Sequence, residues 1–191
     1  MTTALPDWMV LPPEGITVAE YEALPEEICK RIEIVDGAII VSPAPLRSHQ
    51  RIARRLANVL DGASGSLVAV DIDVDLRLRD IPLLNRRPDV VVYDASLPTD
   101  AVLRPEHCLL VVEVMSPGSV TADRLDKPAE YAAAGIGHYW RVETDETGTL
   151  TLFRYRPDSG ARAYAMAGVE QGRVEVEEPF GVCVDLADLV R

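Results

Sequence analysis

Glu113 is the residue whose type and position most strongly suggest chemistry. It is the one charged residue in the apolar run from Cys108 to Met115, whose lack of alternation predicts a central strand buried on both faces. An ionised carboxylate in such a strand is unfavourable unless it is paired or bound to a metal ion. The competing interpretation is a buried ion pair with an arginine such as Arg87 or Arg141, which would add little net stability. Metal binding explains the position better.

Asp89 is the candidate partner of Glu113. It follows Pro88 at the start of a second predicted strand, Val90 to Tyr93, where an aspartate on its own is usually part of a turn. Two strands that each carry an acid near one end can bring both carboxylates to one edge of a sheet, where they can share a hard cation such as Mg²⁺. Such an ion polarises a phosphoryl oxygen and lowers the pKa of a bound water. The pair therefore indicates metal-dependent chemistry on a phosphate ester.

Three further residues are weaker candidates. Lys127 lies near the start of the next predicted helix, where it could stabilise charge in a transition state, although an isolated lysine is usually solvated. Glu33 alternates with Ile32 and Ile34, so we expect its side chain to be exposed. His49 begins a predicted helix and is equally compatible with a general base, a phosphate contact or an ordinary residue of a first helical turn.

The helix that His49 begins has a basic face. From Ser48 to Leu60 the apolar residues recur at helical spacing, and the arginines occupy the other faces. These basic residues are Arg47, Arg51, Arg54 and Arg55. We expect this face, with Arg51 and Arg55 beside His49, to bind a phosphate backbone.

The elements ahead of the two acids have clear signals. Thr17 and Glu20 have capping-box spacing, which predicts a short helix over residues 17–24. Asp36-Gly37 predicts the turn of a hairpin whose strands extend from Ile32 to Val41. Residues 67–79 alternate strictly, which predicts one long strand with one buried side.

The elements after Glu113 complete the predicted sheet. A helix should run from about Asp126, with Pro128 in its first turn and Gly135 as its end. Four strands should follow it, the first two as a hairpin: 138–143, 150–156, 162–167 and 173–177. The overall pattern is that of a single α/β (α+β) domain.

Composition limits the classes of function. The chain has 191 residues, which we assign to one domain over residues 16–191, preceded by a flexible arm over residues 1–15 that is rich in proline and glycine. Its net charge of −12 argues against a passive nucleic-acid coat but not against an enzyme that holds divalent cations. No apolar run is long enough to span a bilayer, and the first residues do not resemble a secretory signal. Three widely spaced cysteines fit neither a disulfide framework nor a zinc site, so we expect a reducing cytoplasm.

Several of these segments resemble one bacterial family. The chain is similar to the Uma2 family (DUF820) of the PD-(D/E)XK nuclease superfamily, and the likeness runs from about Tyr21 to Trp140. The matching segments, each given with the family pattern, are Arg31 to Gly37 (YELIDGE), Val41-Ser-Pro43 with His49 (MSP…H), Arg87 to Val92 (the PD strand), Val111 to Pro117 (LVVEVLSPS), and Asp123 to Tyr131 with Gly135 and Tyr139-Trp140 (D…K…Y…G…YW).

The resemblance implies a site and a fold. It implies metal-binding acids at Asp89 and Glu113, an additional acid at Glu33 and a lysine at Lys127. The superfamily usually has its lysine two residues after the glutamate, but Met115 occupies that position here. Lys127 would then supply the charge from the adjacent helix. The implied fold is restriction endonuclease-like: a mixed sheet flanked by helices, with an N-terminal hairpin and a C-terminal hairpin extension.

Two functions of different classes follow. The first is a Mg²⁺- or Mn²⁺-dependent endonuclease that hydrolyses DNA, in which Asp89 and Glu113 hold the metal ion, Glu33 completes or orients its shell, and Lys127 stabilises the transition state. Such a protein would act in the cytoplasm, without a membrane, as a homodimer. The second is a nuclease-derived binding or regulatory module without catalysis, which the acidic composition and Met115 favour. An enzyme acting on another phosphate ester also stays open.

Overall fold

The computed structural model describes residues 15–41, 44–116 and 121–191, except for the side chain of Asp123. The predicted N-terminal arm lies almost wholly outside these residues, as do Ser42, Pro43 and Pro117 of the family segments. The α-helices are α1 (Val18–Glu22), α2 (Glu26–Cys29), α3 (Arg47–Ser64), α4 (Lys127–Ala133) and α5 (Leu186–Val190). The strands are β1 (Ile32–Val35), β2 (Ala38–Val41), β3 (Val68–Asp71), β4 (Leu76–Arg79), β5 (Leu84–Arg86), β6 (Val90–Asp94), β7 (Cys108–Val114), β8 (His138–Thr144), β9 (Leu150–Pro157), β10 (Tyr164–Gln171), β11 (Arg173–Val176) and β12 (Val182–Asp185).

Strand β7 lies in the middle of a six-stranded mixed sheet of order β10-β9-β8-β7-β6-β3. It pairs antiparallel with β6 and parallel with β8, and α4 makes the crossover between the two parallel strands. The last five residues of β7 are all buried, which confirms the prediction of a central strand covered on both faces. Its long apolar run is thus explained by helices and strands on either side of the sheet.

Separate cores cover the two faces of this sheet. On one face, Leu56 and Leu60 of α3 pack with Val90 and Val112. On the other face, a cluster built around Tyr131, Ile136 and Tyr139 packs against Val91 and Val111. This mixed α+β architecture, with helices flanking a mixed sheet, is the predicted fold class.

A second sheet holds the N-terminal hairpin. Its order is β2-β1-β5-β4, and the hairpin of β1 and β2 turns at Asp36-Gly37 as predicted. The pairing of Ile34 with Asn85 joins β1 to β5. The capping box of Thr17 and Glu20 is present at the start of α1.

The prediction of one long strand over residues 67–79 is wrong. The segment forms β3 in the six-stranded sheet and β4 in the four-stranded sheet, with a break at which Asp73 has φ +55°. Arg87 binds the side chains of both Asp73 and Asp75, and Tyr21 donates to Asp75. The break follows from these tertiary contacts, which cannot be predicted from the alternation of polar and apolar residues.

The C-terminal third agrees with prediction in part. The hairpin of β8 and β9 is confirmed, and β10 extends it in the same sheet. The predicted strand 173–177 does not extend that sheet: β11 pairs with β12 in a separate ribbon. Neither β12 nor α5 was predicted from the sequence. Within the described residues, no helix has the length and apolar character needed to cross a membrane.

Candidate active site

The ends of β6 and β7 bring Asp89 and Glu113 together. Val90 pairs with Val112, so the next position along each strand sets Asp89 opposite Glu113. The backbone N–H of Val114 donates to Asp89 Oδ2 over 2.6 Å, which holds this carboxylate beside the residue that follows Glu113. The antiparallel register therefore creates the predicted pair of acids.

Glu113 is 2% exposed, and α4 provides a partner for each of its oxygens. Tyr131 donates from its hydroxyl to Glu113 Oε1 over 2.7 Å, and Lys127 Nζ lies 2.9 Å from Oε2. Lys127 and Tyr131 are four residues apart, so they share one face of the helix. Burial, followed by the charges of Glu113 and Glu33, raises the pKa of Tyr131 well above its ordinary value, which keeps the hydroxyl protonated as a donor.

The arginines considered as partners of Glu113 have other partners. Arg87 binds Asp73 and Asp75. Arg141 forms an ion pair with Glu143, and its guanidinium lies over the ring of Phe153 at 4.7 Å from the centroid. Among the described contacts, a cation on Glu113 comes from Lys127 of the neighbouring helix.

His49 joins the site from the other side of the sheet. It lies in the first turn of α3, and its Nε2 is 3.1 Å from Asp89 Oδ2. Its side chain is 11% exposed. His49 is thus a largely buried contact of Asp89, and its roles as a general base or a phosphate contact stay predictions.

The expectation that Glu33 is exposed is wrong, because its side chain is only 6% exposed. Arg86 of β5 and Lys127 of α4 lie against the side chain of Glu33 and cover it. Glu33 accepts hydrogen bonds from Arg86 and from the backbone N–H of Arg87, each over 3.0 Å. Lys127 Nζ lies 3.8 Å from Glu33 Oε1, so Glu33 and Glu113 share one lysine.

Arg86 links Glu33 to α4. It donates to both oxygens of Glu130 over 2.7 Å, in addition to its bond to Glu33. Burial by itself would lower the pKa of Arg86, but Glu130 and Glu33 together raise it above its ordinary value. The guanidinium is therefore a permanent positive charge between two carboxylates.

The basic face predicted on α3 has a different environment. Arg51 donates to the backbone carbonyl of Val190 over 3.2 Å, and Arg55 to that of Asp188 over 2.5 Å. Both arginines thus help to attach α5 to α3, which differs from the expected free phosphate-binding surface beside His49. Their contact with a substrate stays a prediction.

The donor set is compatible with a magnesium-type ion. Among the described residues, no group of three histidine, cysteine, aspartate or glutamate side chains converges closely enough to enclose a metal. Mg²⁺ usually keeps several waters and takes one or two carboxylates, whereas an all-protein cage suits other ions better. Asp89 and Glu113 are ligands of the type and number that such an ion takes.

Tyr131, Arg86 and Glu130 were assigned no role from the sequence. The spacing of four residues between Lys127 and Tyr131 was a signal that could have identified the tyrosine. The bridge from Arg86 to Glu33 and Glu130 had no such signal, because it joins β5 to β1 and α4 through tertiary packing.

Comparisons with known proteins agree with this fold. The sequence model of the Uma2 family, described as "Putative restriction endonuclease", matches residues 18–187. No curated protein matches the chain significantly. A crystal structure from Anabaena variabilis, described as a "putative nuclease belonging to DUF820", superimposes with a TM-score of 0.69 at 20% identity, covering 92% of this chain and 97% of that one. Since the family model spans most of the sequence, the chain belongs to the Uma2 family of restriction endonuclease-like proteins.

Proposed function

We propose that this protein is an endonuclease that hydrolyses DNA phosphodiester bonds with Mg²⁺ or Mn²⁺ held by Asp89 and Glu113. The observation that carries the proposal is the contact of Lys127 with Glu113 at 2.9 Å. The superfamily lysine is absent at Met115, and α4 brings a lysine to the same carboxylate. Membership of a family described as nucleases supports the reaction class.

Each residue of the site has a separate task. A bound dication would polarise a phosphoryl oxygen and lower the pKa of a water. Lys127 supplies a positive charge beside the carboxylates, where negative charge on phosphate oxygens increases in the transition state. Tyr131 fixes the second oxygen of Glu113, and the backbone N–H of Val114 together with His49 fixes Asp89.

Glu33 acts through its neighbours in this proposal. Its carboxylate is bound by Arg86 and the Arg87 backbone, and it lies 3.8 Å from Lys127. We assign it the positioning of Lys127, which corresponds to the orienting role expected from sequence. It is not needed as a metal ligand.

The setting of the reaction is proposed from the family resemblance. DNA is the substrate class, because a restriction endonuclease-like family supports it. The net charge of −12 makes the divalent ion important for phosphate binding, since the ion offsets local carboxylate charge. We further propose a homodimer that acts in the bacterial cytoplasm.

Plasmid cleavage tests the proposal. With Mg²⁺ or Mn²⁺, the parent protein should convert supercoiled plasmid to nicked and linear forms. Asp89→Asn and Glu113→Gln should reduce the rate by about 100-fold or more. Glu146→Gln, an exposed acid in the β8–β9 turn, is the matched control and should cut normally.

Thermal unfolding of each variant separates loss of chemistry from loss of fold. Equal cutting by the parent, Asp89→Asn and Glu113→Gln would contradict the assigned site. A parent protein that binds Mn²⁺ and DNA but cleaves nothing would favour the regulatory module, for which Met115 is the supporting observation.

A further inference from the structure

Two arginines share one carboxylate, that of Glu143 on β8. Arg124 donates from Nη2 to Glu143 Oε2 over 2.6 Å and from Nε to Oε1 over 3.2 Å. Arg141 donates from Nε to the same Oε1 over 2.7 Å. Because both Nε atoms contact one oxygen, the two guanidinium groups lie side by side. This arginine pair therefore sets two positive charges against one negative charge.

The cations nearer to the two metal-binding acids have no such excess of positive charge. Arg86 contacts two glutamates, and Lys127 also contacts two. Arg87 contacts two aspartates. In a protein of net charge −12, a phosphate is bound most favourably where local cations outnumber acids, which is the case at the arginine pair.

Arg141 lies beside Glu113 on the same face of the sheet. The two residues are partners in the parallel pairing of β7 and β8, and neighbouring strands are about 4.8 Å apart. Val111 and Tyr139, which precede them by two residues each, pack in one core cluster. Since side chains alternate along a strand, Glu113 and Arg141 project to that same side.

Arg124 reaches the arginine pair from the helical side of the site. It lies in the π-helical turn Ala122–Asp126, three residues before Lys127. Its side chain is 48% exposed, and its Nη1 donates to no described residue. The start of α4 thus joins the arginine pair to the lysine that contacts Glu113.

The Arg141 guanidinium is fixed in place but still reached by water. It lies over the rings of Phe153 and Tyr155, at 4.7 Å and 5.4 Å from their centroids. The side chain is 8% exposed, and its terminal nitrogens, Nη1 and Nη2, donate to no described residue and are not sealed from water. A guanidinium that is already ordered loses little conformational freedom when it binds a further anion.

We infer that Arg124 and Arg141 bind the DNA phosphate next to the one that is cleaved. The inference rests on the proposed function, because it takes the DNA strand across Glu113. Guanidinium groups donate paired N–H bonds to phosphate oxygens, and both groups keep donors for this purpose. Glu143 holds the two groups together and competes with the phosphate for them. Phosphate binding is thereby assigned to the β8 side of the site.

Fluorescence anisotropy with a labelled DNA duplex in Ca²⁺ tests binding apart from cleavage, with gel electrophoresis to verify that the duplex is intact. Arg124→Gln and Arg141→Gln should each weaken binding about tenfold. Each should also lower the slope of log affinity against log salt by about 1, the effect of one lost phosphate contact. Arg104→Gln, which removes an exposed arginine paired with Asp80, should bind like the parent.

Glu143→Gln distinguishes phosphate binding from a purely structural tie between the π-helical turn and β8. It removes the competing charge and keeps both arginines, so it should tighten binding by about twofold to fivefold. Asp80→Asn makes the same change of charge at the exposed pair with Arg104 and should have a smaller effect. Weaker binding by Glu143→Gln would show a structural tie and overturn the inference.

The remaining outcomes distinguish this inference from the proposed function. An unchanged affinity and salt slope in Arg124→Gln, whose exposed side chain can be replaced without disturbing the core, would overturn the inference and leave the cleavage test at Asp89 and Glu113 unaffected. A parent protein that does not bind the duplex would overturn both the DNA substrate and the inference.

Discussion

Two buried glutamates, one in each large sheet, differ in the groups that neutralise them. Glu33 is 6% exposed and is held by the guanidinium of Arg86 and a backbone N–H. Glu113 is 2% exposed and contacts a tyrosine hydroxyl and the flexible side chain of Lys127. A lysine can move aside for a dication more easily than a bridging arginine, which has two carboxylates to satisfy. Under the proposed function, the type of partner, rather than burial, would distinguish Glu113 as a metal ligand from Glu33 as a positioning acid.

The largest expected effect is the loss of the arginine bridge. Arg86→Met would leave Glu33 and Glu130 without their shared cation, and removing one partner of a buried ion pair costs about 3–5 kcal/mol. Urea denaturation should show a fall in unfolding free energy of this size. Arg104→Met, which removes an exposed pair with Asp80, should lower it by less than about 1 kcal/mol.

A double substitution separates the lost charge from lost packing. If Glu33 is destabilising in Arg86→Met because its charge is unpaired, adding Glu33→Gln should restore part of the stability. Simple addition of the two single effects would show that the charge of Glu33 is not coupled to Arg86, which contradicts the comparison.

The next effect concerns Lys127. Lys127→Met should lower the cleavage rate by about 100-fold, because the site loses its positive charge near the phosphate. Met115→Lys, added to that variant, should recover part of the rate, since residue 115 follows Glu113 by two positions and comes directly after the end of β7. Plasmid cleavage kinetics measure both, and an unchanged rate in Lys127→Met would exclude the assigned role.

A smaller effect is expected at Glu33. Glu33→Gln keeps the size of the side chain and leaves Asp89 and Glu113 in place, so the cleavage rate should fall by less than about tenfold. Glu113→Gln, assayed beside it, is the matched comparison. A Glu33→Gln variant as inactive as Glu113→Gln would mean that both glutamates belong to the metal site.

The smallest effect concerns Cys108, at the opposite end of β7 from Glu113. Burial, followed by the charge of Glu106, raises the pKa of the thiol to about 12. The pKa of a thiol in an unfolded chain is about 8.5. The buried thiol therefore contributes its full stabilisation below about pH 8.5, and this contribution is lost as the pH rises toward about 12. Urea denaturation from about pH 8 to about pH 10 should show a shallower loss for Cys108→Ala than for the parent. Cys183→Ala, at an exposed thiol, should match the parent.

Much of the site-bearing sheet was predictable from sequence. The unbroken apolar run of β7 and the helix with Pro128 in its first turn are local signals, and both elements are confirmed. The approach of Asp89 to Glu113 followed from two strands with an acid near one end. These features depend on neighbours in the chain or in the adjacent strand.

Two predictions from the sequence were wrong, the single strand over residues 67–79 and the exposure of Glu33, and both have the same physical origin. The alternation of residues 67–79 gave no sign that Arg87 would bind Asp73 and Asp75 and divert the chain into a second sheet. Glu33 was predicted to be exposed because it alternates with apolar residues in β1. The sequence of the hairpin does not indicate that Arg86 of β5 covers it. Both depend on ion pairs between residues 12 to 53 positions apart, which patterns of hydrophobicity do not encode.

Isothermal titration with Mn²⁺ tests the central claim most directly, because it measures metal binding without requiring catalysis. The parent and Glu33→Gln should bind the ion with similar affinity, whereas Asp89→Asn and Glu113→Gln should each lose most of the heat of binding. A parent that binds no Mn²⁺, or an affinity that falls with Glu33→Gln but not with Glu113→Gln, would contradict the account.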